Sequence, residues 1–213
     1  MRYYTDSDYL KLDGKRLPYT MVDFWRDALS VILLNMTRGS FAEFVVKCCM
    51  QESGFNALSQ LKNGTELWDI DGPDITMPEG VRPSRIEVKC TASIQLDTPP
   101  EQEPISLPDS KLRFGTKRAS NPNSKDPTPH HNNDLYVFCH YKGKTKDDDM
   151  FDLSLWDFYV MPTYMIREDS SLCEATGVSL YKVKKLGISV HSFQTLYAEI
   201  IRVLQDVSSH YMQ

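Results

Sequence analysis

The sequence has no apolar run that approaches the ~20 residues needed to cross a bilayer. Its longest candidate, ALSVILLNM at 28–36, has the length of a buried helix. Residues 1–15 also lack the apolar core of a secretory signal. These absences predict a protein without a membrane anchor, in the cytoplasm.

Metal-binding spacings of cysteine and histidine are absent as well. The chain has five cysteines and no CxxC pair, which argues against a zinc site. The cysteines are odd in number and lie mostly inside apolar runs, which favours reduced, buried thiols. His130 and His131 are adjacent in a polar segment with no zinc spacing around them, so we expect them to be solvated.

Positive charge is in deficit. There are 24 Lys and Arg residues against 29 Asp and Glu residues, and the formal net charge is −5. This balance argues against a generally basic nucleic-acid-binding surface, but it leaves room for a local basic groove. With 213 residues and no internal repeat, the chain is predicted to form a single domain, 1–213, with an N-terminal extension over about 1–20.

Helical periodicity is present toward both ends of the chain, with strand patterns between. Helices are predicted over 20–36, from Ser40 to Gly54, over 179–187 and from Ser192 onward, with a break at 37–39. Strands are predicted at 66–70, 85–92, 134–141 and 157–163, with turns at 72–74 and 77–80. Residues 96–133 form a long polar loop. This order predicts an α/β fold with a mixed β-sheet flanked by helices.

The predicted strand at 85–92 carries the strongest chemical signal. Alternation turns Glu87 and Lys89 together to one face, away from the core. Asp74 follows a Gly-Pro pair, and a returning hairpin can bring it beside Glu87. Two carboxylates so placed suit a hard divalent cation. The alternative is a same-face ion pair on an exposed sheet, which contributes little to stability.

These residues resemble the PD-(D/E)xK pattern of the restriction-endonuclease-like nuclease superfamily. Pro73-Asp74 is followed, after twelve residues, by Glu87-Val88-Lys89. Five segments also occur in the order seen in a bacterial branch of that superfamily: RGSFAEFVV, WDIDGPDI, RIEVKCTASIQ, DLYVFCHY and LWDFYVMPT. The resemblance implies a restriction-endonuclease-like core. It also implies a Mg²⁺-dependent nuclease that hydrolyses DNA phosphodiester bonds, of the restriction or phage-defence type.

The resemblance implies a role for each matching residue. Asp74 and Glu87 correspond to metal ligands, with the backbone carbonyl of Val88 as a further ligand. Lys89 corresponds to the lysine that orients the attacking water. Gln95 is similar to a glutamine that follows ExK in many branches, although it is also explained as a polar strand end. The implied cofactor is Mg²⁺, which Mn²⁺ can replace, and the implied partners are double-stranded DNA and a second copy in a homodimer.

Three aspartates precede this strand, and the choice among them is open. Asp74 is favoured as the main metal ligand because Pro73 fixes the backbone just before it. Asp71 is the competing choice, although a short acidic side chain before Gly-Pro commonly bonds its own backbone to set a turn. Asp69 lies in the extended segment, too early to be at the predicted turn.

Glu43 is similar to the helix glutamate that some branches add to the metal site. Two local roles compete with that interpretation. Ser40 and Glu43 fit an S-x-x-E capping box, and Lys47 lies at ion-pair spacing from Glu43. Glu43 is also predicted to lie opposite an apolar helix stripe that includes Phe41 and Phe44.

A local basic run lies inside the polar loop. Lys111, Arg113, Lys117 and Arg118 can bind phosphates by counterion release, with Arg38 on the same rim, whereas the alternative is a solvated loop. Two other function classes stand beside the nuclease. One is a non-cleaving nucleic-acid-binding module of the same fold, and the other is a partner-binding subunit. The complete Asp, Glu and Lys set favours the nuclease.

Overall fold

The computed structural model describes residues 8–12, 15–20, 22, 35–55, 58–59, 69–95, 105–116, 131–145 and 147–213. Most of the helix predicted over 20–36 lies outside these residues. The strands, in chain order, are β1 (Tyr9–Leu12), β2 (Lys15–Thr20), β3 (Leu58–Ser59), β4 (Ile70–Met77), β5 (Gly80–Ala92), β6 (Ile94–Gln95), β7 (Ile105–Ser106), β8 (Arg113–Gly115), β9 (Leu135–Tyr141), β10 (Trp156–Pro162) and β11 (Gly177–Ser179). The helices are α1 (Asn35–Glu52), α2 (Tyr164–Glu168), α3 (Ser170–Cys173), α4 (Leu180–Lys185) and α5 (Phe193–Tyr211).

A five-stranded mixed sheet forms the centre of the fold. Its strand order is β10-β9-β5-β4-β3, in which β5 and β9 run parallel and the other pairs are antiparallel. Three two-stranded sheets pair β1 with β2, β6 with β7 and β8 with β11. The predicted α/β class and the strands at 85–92, 134–141 and 157–163 are confirmed. The predicted loop at 96–133 contains β7 and β8 and is therefore not wholly irregular.

Both faces of the sheet are covered. Alternate residues of β9 enter two separate cores: Val137 packs with α1 and α5, and Phe138 packs with α2, α3, α4 and β8. A strand buried on both faces has a nearly continuous apolar sequence, and all seven residues of β9 are buried. Among the described helices, none has the length and apolar character that a membrane span requires.

Helix α1 differs from its predicted start and from its predicted buried face. It is continuous through 37–39, so Ser40 lies inside the helix and the capping-box interpretation of Glu43 is wrong. Ala42 is buried, whereas Phe44 is 58% exposed. The small side chain lets the helix approach the sheet, and the phenylalanine is left outside.

The predicted helix end at Gly54 is confirmed. Gly54 has a φ of +84°, a left-handed conformation that favours glycine. Its N–H donates to the carbonyl of Gln51, and the next N–H, of Phe55, donates to the carbonyl of Met50. These two bonds form a Schellman motif, which satisfies carbonyls at the end of the helix.

A β-bulge interrupts the pairing of β4 with β5. Pairing is regular from the hairpin turn at 78–79 as far as Asp74, and it then resumes one residue out of step. Gly72 and Pro73 of β4 together oppose the single residue Ser84 of β5. Proline has no N–H to donate and is tolerated at a bulge. The turn predicted around Gly-Pro is therefore a bulge within a strand.

The bulge changes which side chains of β4 face the ExK residues. If β4 had no bulge, the register set at the hairpin turn would place Ile70 opposite Glu87. With the bulge, Ile70 pairs with Ile86, and Asp69 is the next residue along, beside Glu87. Because side chains alternate with a period of two, Asp69 and Asp71 project to the Glu87 face while Ile70 enters the core.

We predict that Gly72→Ala lowers the free energy of unfolding by about 1–3 kcal/mol. A Cβ at this position would overlap Ser84 Oγ and lie 2.7 Å from Ile86 Cδ1, so these two buried side chains would have to shift. Urea denaturation measures the effect. Gly39→Ala is the control, because a Cβ there meets nothing within 4 Å; we expect it to stabilise α1 by about 0.5–1 kcal/mol. Equal stability of the two variants would contradict the close approach at the bulge.

Candidate active site

Three charged side chains converge where the start of β4 meets the middle of β5. Lys89 Nζ forms an ion pair with Glu87 Oε1 and lies 3.7 Å from Asp69 Oδ2. The backbone N–H of Val88 donates a 2.8 Å hydrogen bond to the same Asp69 oxygen. One ammonium group thus stands between two carboxylates that paired strands hold in place.

These side chains are partly buried. The exposed fraction is 30% for the side chain of Lys89, 18% for Glu87 and 8% for Asp69. On the neighbouring strand β9, Tyr136 is in register with Glu87 and Phe138 with Lys89, and both belong to the second core. The expectation that Glu87 and Lys89 lie on an open face of the sheet is therefore wrong. Charges withdrawn from water interact more strongly than an exposed ion pair does.

Tyr136 and His131 form a buried polar pair at the edge of this site. The pKa of Tyr136 is raised well above its usual range by burial and then by the negative charge of Glu87. Its hydroxyl lies 2.8 Å from Nδ1 of His131. The expectation that His131 is solvated is wrong, because its side chain is buried against the tyrosine.

The structure brings Asp69, and not Asp74, beside Glu87. Asp74 lies opposite Pro83. That position is four residues along β5 from Glu87, or about 13 Å at ~3.3 Å per residue. Asp74 is exposed and lines a shallow cleft with the C-terminal half of α5. The expectation that the hairpin sets Asp74 against Glu87 is wrong. Because the hairpin turns at 78–79, Asp74 lies at the turn end of the β4–β5 pair, away from Glu87.

The competing choice, Asp71, lies nearer to the site but opposite Arg85. Opposite charges at such a position stabilise a pair of strands. The sequence did contain a signal for Asp69. In the segment W-D-I-D, Asp69 and Asp71 alternate with the core residue Ile70, and the Gly-Pro that follows marks the bulge that turns them toward Glu87.

The carbonyl of Val88 is directed to the same edge of β5 as Asp69. The carbonyl of Ile86 accepts a 3.0 Å hydrogen bond from the N–H of Asp69. Carbonyls two residues apart in a strand point to the same edge, so the Val88 carbonyl faces the start of β4 as well. This placement agrees with the role that the resemblance implies for Val88.

Glu43 and Arg38 lie on α1, which packs against the opposite face of β5. The pKa of the Cys139 thiol on that face is raised, first by burial and then by Cys90 and the charge of Glu43. Arg38 is only 3% exposed. Burial raises the pKa of Cys90 to about 11, and the nearby Arg38 guanidinium opposes that rise. The placement of Arg38 on a DNA-binding rim is wrong, because its side chain is buried under the sheet.

The structure does not bring Glu43 to Asp69 and Glu87. Across the described residues, no group of three Asp, Glu, His or Cys side chains is placed to hold a metal ion. The expectation that Glu43 completes the metal site is not met in this structure, because α1 and the Glu87 face lie on opposite sides of the sheet.

Two residues of the predicted DNA-binding run are placed. Lys111 and Arg113 are exposed, and Arg113 Nη2 donates a 2.7 Å hydrogen bond to the carbonyl of Gly177. Lys117 and Arg118 lie outside the described residues. The backbone of Gln95 pairs with that of Ile105, between β6 and β7. The functional roles of these residues stay predictions.

The donor set at the site suits a hard divalent cation. Asp69 and Glu87 offer carboxylate oxygens, and Val88 offers a carbonyl oxygen; Mg²⁺ prefers such oxygen ligands. The Lys89 ammonium between the carboxylates shows that a positive charge is stable at this point. Comparisons with protein-family models and with curated proteins find no match to this chain.

We predict that Asp69→Asn weakens Mn²⁺ binding at least about tenfold, a loss typical of damage to a metal site. Asp69 is the carboxylate beside Glu87, and the asparagine oxygen can still accept the hydrogen bond from Val88. Isothermal titration measures the affinity. Asp74→Asn is the matched control and should bind Mn²⁺ as the wild type does. A loss confined to Asp74→Asn would return the ligand to that residue.

Proposed function

We propose that this protein is a Mg²⁺-dependent nuclease that hydrolyses DNA phosphodiester bonds, of the restriction or phage-defence type. The observation that carries the proposal is the convergence of Asp69, Glu87 and Lys89 on two paired strands. A cytoplasmic location, double-stranded DNA as substrate and a homodimer that cuts both strands belong to the same proposal.

The arrangement of elements supports a restriction-endonuclease-like core. The resemblance calls for a helix ahead of two neighbouring strands that carry an acidic residue and the ExK sequence. Helix α1 precedes the β4–β5 hairpin, and the hairpin supplies Asp69 on one strand with Glu87 and Lys89 on the other. The departure from the expected pattern is that Asp69 takes the place of Asp74.

Asp69 and Glu87 would hold the metal through carboxylate oxygens, with the Val88 carbonyl as a further ligand. When bound, Mg²⁺ would lower the pKa of a water molecule and neutralise charge on the phosphate. Lys89 then orients the attacking water in line with the scissile P–O bond. Its ammonium also offsets the negative charge that builds on the phosphate oxygens.

The ion pair with Glu87 limits the freedom of Lys89 before substrate arrives. A free lysine side chain loses up to about 2 kcal/mol of conformational entropy when it is fixed. Because the Glu87 carboxylate already positions the ammonium, much of that cost is met during folding. Partial burial strengthens the same interaction. The strand pair therefore preorganises the lysine as well as the metal ligands.

We predict that Glu87→Gln and Lys89→Met each reduce DNA cleavage at least about a hundredfold, because each removes a group that acts on the reacting atoms. Supercoiled plasmid and single-stranded DNA are incubated with Mg²⁺ or Mn²⁺, with EDTA as the metal-free control. Glu174→Gln and Lys185→Met, both at exposed positions, are matched controls and should cleave normally. Near wild-type cleavage by either site variant would show that the site is misassigned.

We predict that replacing Lys111 and Arg113 with serine weakens DNA binding and flattens its salt dependence. Removal of one phosphate-binding cation should lower the slope of log K against log salt by about 0.9 on duplex DNA. Fluorescence anisotropy over a range of salt concentrations gives the slope. Arg202→Ser is the control, because its guanidinium already forms two 2.7 Å bonds with Glu199. An unchanged slope in the double variant would leave this segment as a solvated loop.

A further inference from the structure

A second charged cleft adjoins the carboxylate site. Its volume is about 550 Å³, and the β4–β5 turn, the chain before β9, α2 and the end of α5 form its walls. The charged residues of its lining are Arg82, Arg85, Arg167, Glu79 and Asp134. Three guanidinium groups against two carboxylates leave the lining with a net positive charge.

Within this lining, Arg82 and Asp134 neutralise each other. Each terminal nitrogen of Arg82 lies 2.7 Å from one oxygen of Asp134. Asp134 also accepts a 2.7 Å hydrogen bond from the backbone N–H of Arg85. Glu79 lies 3.7 Å from Arg82 Nε, with 65% of its side chain exposed. Both acidic groups therefore contact Arg82, and neither forms an ion pair with Arg167.

Arg167 is held by neutral oxygens. Its Nη2 donates to the carbonyl of His131 and, at 3.4 Å, to that of Asn133. Its Nη1 donates a 2.8 Å bond to the hydroxyl of Tyr211. No carboxylate in the described part of the chain forms an ion pair with it. These bonds fix the orientation of the guanidinium and leave its charge uncompensated.

Arg85 connects the cleft to the carboxylate site. It stands two residues before Glu87 on β5, so the two side chains share a face about 7 Å apart. Burial, and then the positive charge of Arg82, lower the pKa of Arg85; Asp134 and Glu79 act in the opposite direction, and Arg167 adds a smaller lowering effect. Arg82 and Arg167 thus lie close enough to Arg85 to repel its guanidinium group. An anion bound among them would relieve that repulsion.

We propose that this cleft is a phosphate-binding subsite, in which Arg167 and Arg85 hold a phosphate group of the nucleic-acid strand adjacent to the phosphate at Glu87 and Lys89. This inference rests on the proposed function. The planar guanidinium fork matches phosphate oxygens, and its bonds to a charged acceptor are among the strong ones. The phosphate is either a terminal monoester or an internal diester of the strand.

The test measures binding of short single-stranded oligonucleotides to the full chain by fluorescence anisotropy in EDTA. One oligonucleotide has a 5′-phosphate, and the other, of the same sequence, has a 5′-hydroxyl. We expect Arg167→Gln to weaken binding about tenfold, because it removes one charge-assisted hydrogen bond to the phosphate. Arg85→Gln is the second variant, because Arg167 also bonds the backbone before β9. Arg202→Gln is the control and should bind as the wild type does.

The two oligonucleotides distinguish the sources of the phosphate. If only the 5′-phosphate strand loses affinity in the variants, the subsite holds a strand terminus. If both strands lose affinity and the salt slope falls by about 0.7 per arginine, it holds an internal phosphate. Unchanged affinity and slope in both variants, or no binding by the wild type, would overturn the inference. Because no metal or cleavage is involved, this result is independent of whether Glu87→Gln abolishes nuclease activity.

Discussion

One extra residue in β4 determines which acidic side chain reaches the ExK strand. The bulge at Gly72 and Pro73 shifts the register of β4 by one, and it does so between the hairpin turn and the charged site. In a regular hairpin, Ile70 would oppose Glu87, and Asp69 would project into the apolar core. A carboxylate there would be buried against α1 and α5 without a partner, at a cost of several kcal/mol. The bulge avoids the burial of this carboxylate in the apolar core and places Asp69 beside Lys89.

The covering of both sheet faces gives the site its electrostatic character. On the Glu87 face, Tyr136 and Phe138 of β9 belong to a core that continues into α2, α3 and α4. Asp69 and Glu87 are therefore drawn away from water, and neither can be left without a counter-charge. Lys89 supplies that charge in the structure. A bound divalent cation would add to it in the proposed reaction, in which the ammonium beside Glu87 acts on water and phosphate.

Much of the fold could be predicted from the sequence, because local patterns determine it. The strand β9 was visible as a nearly continuous apolar run, and the end of α1 as a glycine that adopts a positive φ. The site was predicted only in part. Glu87 and Lys89 share a face by strand alternation alone. Their partner Asp69 depends on register, which is set by a bulge at Gly72 and Pro73 that local sequence patterns did not predict.

The face of α1 was missed for a similar reason. Hydrophobicity favoured a stripe through Phe41 and Phe44, whereas packing selected the smaller Ala42 to face the sheet and left Phe44 exposed. In the orientation that this packing selects, the Arg38 side chain is buried. Glu43 lies on the side of the sheet away from Glu87. Size complementarity at a helix–sheet contact is a tertiary property, and a hydrophobic pattern does not encode it uniquely.

The order of charges along β5 fits the proposed binding of a polyanion at an acidic site. Arg85, Glu87 and Lys89 follow one another on one face at steps of about 7 Å. The carboxylate is thus flanked by a cation on each side, and Arg167 extends the positive charge beyond Arg85. Without these flanking cations, two partly buried carboxylates would repel a phosphate strand at short range, where screening by salt is weak. The alternation of charge that stabilises the strand pair is also what the proposed approach of a phosphodiester chain would require.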